Sequence, residues 1–157
     1  MNTYFHRVAR QTPTRFWINN VTREQARLAL DAGAVGCTQN PAYTWKMLQG
    51  SDKAHAIEVL DEILRQEPED SVALIRLQRA LVEEIALAFL PLYRESGGKH
   101  GYVSIQGDPF HEDCESIVRW GRFNAENLPN IMLKVPATEE GPLTFSCGRA
   151  TPSMLQR

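Results

Sequence analysis

Apolar positions in this chain follow two periods, and the periods alternate. Residues 15–19 (Arg-Phe-Trp-Ile-Asn) read as a short first strand. Thr22 then stands where a helix cap belongs, with Gln25 at the capping-box position. A helix over 24–32 follows, with Ala26, Leu28, Ala29 and Leu30 on its apolar side and Gly33 as its C-cap. Residues 34–37 (Ala-Val-Gly-Cys) read as a second strand, closed by Thr38-Gln39-Asn40-Pro41. Strand, helix and strand joined by short connections imply a parallel sheet.

A helical stretch comes next. Pro41 starts a helix through residue 48. Ser51 or Asp52 caps another, in which Ile57, Leu60 and Leu64 recur at helical spacing until Pro68. Asp70 or Ser71 caps a longer one carrying Val72, Ile75, Leu81, Val82, Ile85 and Phe89. Pro91 is expected to kink or end it, and Gly97-Gly98 is a clear stop. Residues 101–106 read as the third strand, 111–127 as a helix with Cys114, Ile117, Val118, Trp120 and Phe123 among its apolar positions, and 131–135 as the fourth strand. Two β-α-β units thus flank a long helical insertion, all within one α/β domain over 1–141. From 142 to 157 neither period continues. That end reads as an irregular tail, or as foreign text from a shifted reading frame.

Composition narrows the function classes. The chain has 157 residues, 43% hydrophobic and 23% charged, with a net charge of -2. With no basic block, a nucleic-acid partner is not expected. No apolar run is long enough to span a bilayer. The N-terminus lacks an apolar signal core, which favours a cytoplasmic protein; two early arginines leave a transit peptide as the alternative. Cys37, Cys114 and Cys147 are odd in number and share no metal spacing, so reduced thiols are expected. His6, His55 and His100 stand apart. His111-Glu112-Asp113 resembles a metal cluster but fits the first turn of a helix better, where acids complement the dipole. No metal and no cofactor are expected.

Chemistry concentrates at the strand ends. Asn19 and Asn20 follow the first strand, Thr38 and Asn40 the second, Ser104 and Gln106 the third, Lys134 and Thr138 the fourth. In parallel α/β folds the C-terminal strand ends share one face, and ligands bind there. Lys134 sits in the apolar run Ile131-Met132-Leu133-Lys134-Val135, alternating with Ile131, Leu133 and Val135 and so facing away from the helices. A lysine losing hydration in such a run is a plausible amine nucleophile for a carbonyl. Taken alone, each residue also has a plain reading: Lys134 as a solvated lysine, Asn40 before Pro41 as turn chemistry, Asn19 and Asn20 as brackets of a helix N-terminus, Ser104 and Gln106 as polar residues of a half-exposed strand.

The runs Phe16-Trp17-Ile18-Asn19, Gly33-Ala34-Val35-Gly36-Cys37-Thr38-Gln39-Asn40-Pro41, Val103-Ser104-Ile105-Gln106 and Leu133-Lys134-Val135-Pro136-Ala137-Thr138-Glu139-Glu140-Gly141 resemble the first four strand motifs of the transaldolase family. The second and fourth are the specific ones. The resemblance implies a (β/α)8 TIM-barrel type fold and class I aldolase chemistry. It assigns Lys134 as the Schiff-base lysine, Asn40 as a substrate contact and Thr38 as its support. Ser104 and Thr138 line the substrate, and Gln106 helps place a catalytic water. The family's acid/base aspartate at the end of strand one corresponds to Asn19, and an amide cannot exchange a proton in that role. A (β/α)8 barrel needs about 250 residues, and four strand motifs are present here, without the later strands that carry phosphate contacts.

The expectation is therefore a protein related to enzymes that move a three-carbon dihydroxyacetone unit between sugar phosphates, as in the pentose phosphate pathway, with little activity in this chain. The competing expectation is a non-catalytic sugar-phosphate binder or pseudoenzyme. Half-barrels with open edges are also expected to self-associate.

Overall fold

The computed structural model describes residues 3–137. Thr138 and the tail from 142 onward lie outside the described residues. Four parallel strands form one sheet in the order β1-β2-β3-β4: β1 Trp17–Asn19, β2 Gly36–Gln39, β3 Tyr102–Ile105 and β4 Ile131–Leu133. The helices are α1 Tyr4–Gln11, α2 Arg23–Ala32, α3 Ala42–Gln49, α4 Lys53–Gln66, α5 Asp70–Glu95 and α6 Cys114–Ala125. The insertion between strands two and three is thus α3, α4 and α5.

Local chemistry sets α2 as expected. Thr22 Oγ1 accepts from Gln25 N at 3.2 Å, and Gln25 Oε1 accepts from Thr22 N at 3.1 Å. Gly33 closes the helix at φ 101°, a left-handed conformation that glycine adopts without a Cβ penalty.

Packing segregates the two faces of the sheet. Cys37, Val103, Ile105 and Ile131 point to one side and are buried against the helices. There Leu81, Val82, Ile85 and Phe89 of α5 join Tyr43 and Met47 of α3 in a single core. Burying each large side chain contributes roughly 1.5–3 kcal/mol. Ala86 lets α5 approach closely enough for Asn130 Nδ2 to donate to its carbonyl at 2.7 Å, and to Gly101 O at 3.0 Å. One buried side chain therefore ties α5 to the start of β3 just ahead of β4. On the opposite face the two outer strands are open, with Trp17 39% exposed and Met132 36%, whereas Ser104 between them is buried.

Several boundaries differ from the sequence reading. The second strand runs on through Thr38 and Gln39, which pair with Ser104 and Ile105. As an inner strand it has a neighbour on each side, and that pairing outweighs the turn preference of its residues. Pro91 does not end α5, which continues to Glu95. The bond it removes belongs to the carbonyl of Leu87 on an exposed turn, whereas Leu92 and Tyr93 pack on the core beyond it. The last helix begins at Cys114, not at His111. Asp113 caps it, Oδ1 accepting from Ser116 N at 2.9 Å, so His111 and Glu112 belong to the preceding loop. The fourth strand ends at Leu133 rather than Val135. An N-terminal helix, α1, went unforeseen; it has no side-chain cap, and Phe5 stacks on Phe16 with centroids 4.0 Å apart. Cys37 is a free, buried thiol, but Cys114 is disulfide-bonded, contrary to the expectation of reduced thiols throughout.

Candidate active site

The strand register assembles the polar strand ends. Asn19 pairs with Thr38, Thr38 with Ser104, and Ser104 with Met132. Because alternate residues share a face, these four form one row across the sheet, on the side away from the helices. Asn40, Gln106 and Lys134 come two residues later on their chains, about 6.6 Å further toward the C-terminal ends. The row below places Trp17 beside Gly36, where a Cβ would lie 2.7 Å from the indole ring. Glycine at 36 is what lets the indole lie across the sheet.

Hydrogen bonds fix the first two strand ends to each other. Thr38 Oγ1 donates to Asn19 Oδ1 at 2.7 Å. Asn20, at φ 48°, turns its amide onto Asn40: its Oδ1 accepts from Asn40 N and its Nδ2 donates to Asn40 Oδ1, both at 3.0 Å. The Asn40 amide is thereby held with its oxygen toward Asn20 and its Nδ2 turned away. Lys46 of α3 donates to the backbone oxygen of Asn20 and, at 3.2 Å, to Gln25 Oε1. Asn20 was among the polar strand-end residues read from the sequence; Lys46 was not singled out, since its partner lies 26 residues away.

Lys134 lies just past β4. Its backbone N donates to Ile105 O at 2.8 Å, so the ladder continues beside Gln106. Its side chain is half-buried rather than enclosed. Leu133, its neighbour, faces α6, where it meets Gly121. Gln106 Nε2 donates to Glu112 Oε1 at 3.0 Å, a carboxylate supplied by the loop after β3. That loop is organised by the buried Asp108, which accepts from Phe110 N at 2.8 Å and bonds His111 Nδ1 at 2.7 Å. On the opposite face, burial pushes the Cys37 thiol up to about 12 and the Tyr43 phenol above its ordinary range. Neither is a nucleophile at neutral pH. Among the described residues no cluster of His, Cys, Asp and Glu could hold a metal ion, and no helix is long and apolar enough to cross a membrane.

A parallel sheet that presents amides, hydroxyls and one amine at its C-terminal strand ends is the framework of a barrel-type α/β enzyme site. The profile of the family described as Transaldolase/Fructose-6-phosphate aldolase matches residues 16–143. The chain belongs to this family, whose fold is of the TIM-barrel type. It is 28% identical over 141 residues to the transaldolase of Thiobacillus denitrificans, covering 82% of this chain and 38% of that protein. Against transaldolase 1 of Streptomyces avermitilis it is 29% identical over 134 residues, covering 80% of the chain and 35% of the relative. A shorter match to the transaldolase of Helicobacter pylori strain 26695 reaches 47% over 57 residues, 34% of the chain and 18% of that protein. The chain thus spans little more than a third of the first two relatives' length.

Proposed function

We propose that the described strand ends form part of a transaldolase-type Schiff-base site acting on sugar phosphates in the cytoplasm. Lys134 Nζ attacks a ketone carbonyl, water leaves, and the protonated imine takes up the electron pair of the adjacent C–C bond. The aldehyde fragment departs. The three-carbon dihydroxyacetone unit stays on Lys134 and passes to an aldehyde acceptor, chemistry of the pentose phosphate type. Asn40 Nδ2 donates to a substrate oxygen, the Thr38, Ser104 and Thr138 hydroxyls line the substrate, and Gln106 positions a water.

The observation that carries this reading is the common level of Asn40, Gln106 and Lys134, one step above the row of Asn19, Thr38 and Ser104. The test is incubation with fructose 6-phosphate and borohydride, followed by intact mass. A reduced adduct in the wild-type chain that is absent from Lys134→Ala is the expected result. An unmodified wild-type chain contradicts the reading.

A second reading, a sugar-phosphate-binding pseudoenzyme, has one observation in its favour. Asn19 carries an amide, and its Oδ1 is already taken by the Thr38 hydroxyl. Binding of fructose 6-phosphate that is unaffected by Lys134→Ala, with no adduct, would select it.

A further inference from the structure

We propose that Glu112 is the acid/base residue beside the Lys134 imine; the inference rests on the Schiff-base reading above. Imine chemistry needs a group that takes up a proton as electrons flow toward nitrogen. Among the described residues, the strand ends themselves offer none. Asn19, Asn40 and Gln106 are amides and Thr38 and Ser104 are alcohols, none of which accepts a proton near neutral pH. A carboxylate must therefore come from a loop.

The loop after β3 brings three acids, and their partners separate them. Asp108 is buried, and both its oxygens are committed, Oδ1 to Phe110 N and Oδ2 to His111. Asp113 Oδ1 caps α6. Glu112 alone of the three is bonded to a side chain of the strand-end row, through Gln106 Nε2 at 3.0 Å. Gln106 lies next to Lys134 across the β3–β4 ladder, about 4.8 Å away along the hydrogen-bonding direction. The bond to Gln106 uses Oε1 and leaves Oε2 to receive a proton. His111, the other acid/base group of this loop, has a side chain 64% exposed and bonded to Asp108. Its role is to hold the loop that aims Glu112.

Once Lys134 has condensed with a ketone and water has left, Glu112 Oε2 takes a proton from the carbon next to the iminium. That C–H pair becomes the enamine double bond, and the iminium π pair moves to nitrogen. Return of a proton from the Glu112 carboxyl restores the iminium. In cleavage the same oxygen takes the hydroxyl proton of the departing fragment while the C–C pair enters the enamine.

Dihydroxyacetone in deuterium oxide tests this with the chain as it exists. Loss of its C–H signal by NMR reports the proton step, and borohydride trapping with intact mass reports the imine. Glu112→Gln is expected to keep the trapped adduct and slow exchange about 100-fold or more. Glu112→Asp is expected to recover part of it, and thermal melts check that both variants fold. Undiminished exchange in Glu112→Gln overturns the proposal. Wild-type adduct without exchange overturns Glu112 but spares the Schiff base; absence of any wild-type adduct overturns both.

Discussion

Gly97 and Gly101 share a left-handed backbone but differ in the space around them. Both sit in the left-handed region, at φ 61° and 85°. A Cβ on Gly97 meets nothing within 4 Å, whereas a Cβ on Gly101 would lie 2.4 Å from Tyr93 N and 2.7 Å from Phe89 O. Alanine at either position costs about 1–2 kcal/mol of left-handed strain. It regains about 0.4–1 kcal/mol by restricting the unfolded chain. Gly97→Ala should therefore lose roughly 0–1.6 kcal/mol. Gly101→Ala adds overpacking of about 1–3 kcal/mol or more, because the atoms it strikes are backbone and cannot rotate away. It also displaces a residue whose N–H donates to Val35 O at 2.7 Å and whose carbonyl accepts from Asn130. The expected gap between the two variants is about 2–3 kcal/mol, a large share of a stability of about 5–15 kcal/mol. Urea unfolding followed by circular dichroism measures it. Equal losses in the two variants would refute the claim that α5 lies too close to the start of β3 to admit a side chain at residue 101.

Two further outcomes follow from single groups. The Asp113 carboxyl is held below its ordinary value of 3.8, chiefly by the backbone N–H of Ser116 that it caps. A depressed folded value means stability that is present above that ordinary value and lost as pH falls through the lowered one. Asp113→Ala should accordingly lower Tm at neutral pH, with the gap to wild type closing below pH 3.8; a gap independent of pH contradicts the capping account. The Cys37 thiol, pushed up to about 12 by burial, has a thiolate fraction on the order of one in ten thousand at pH 8. Iodoacetamide should leave Cys37 unmodified in the native chain and label it in urea, as read by peptide mass; rapid native labelling would show that β2 is not covered by helices.

What the sequence disclosed depended on the range of the interaction. The capping box of Thr22 and Gln25 and the glycine stop at 33 act within one turn, so residue order alone revealed them. Strand alternation told that Lys134 shares a face with Met132, opposite Ile131, Leu133 and Val135; Thr38 with Asn40 and Ser104 with Gln106 were legible only as polar residues at strand ends. The lateral register that brings Asn19, Thr38 and Ser104 level is a property of pairing across the chain, and only the structure supplies it. Thr38 and Gln39 illustrate the same limit, since their turn-like composition yields to neighbours on both sides. Lys46 and Glu112 were hidden for a related reason. Lys46 reaches Asn20 from 26 residues away, and Glu112 meets Gln106 from a loop that stays outside α6 because Asp113 caps that helix. Pro91 marked a helix end by its chemistry, but packing of Leu92 and Tyr93 carried α5 past it.

The central claim is that Lys134, among the lysines of this chain, forms the imine. Borohydride reduction in the presence of fructose 6-phosphate, followed by proteolysis and peptide mass mapping, tests it directly. The reduced adduct is expected on the peptide containing Lys134, with Lys46, Lys53 and Lys99 unmodified. An adduct on Lys46, or one spread evenly over all four lysines, would contradict it.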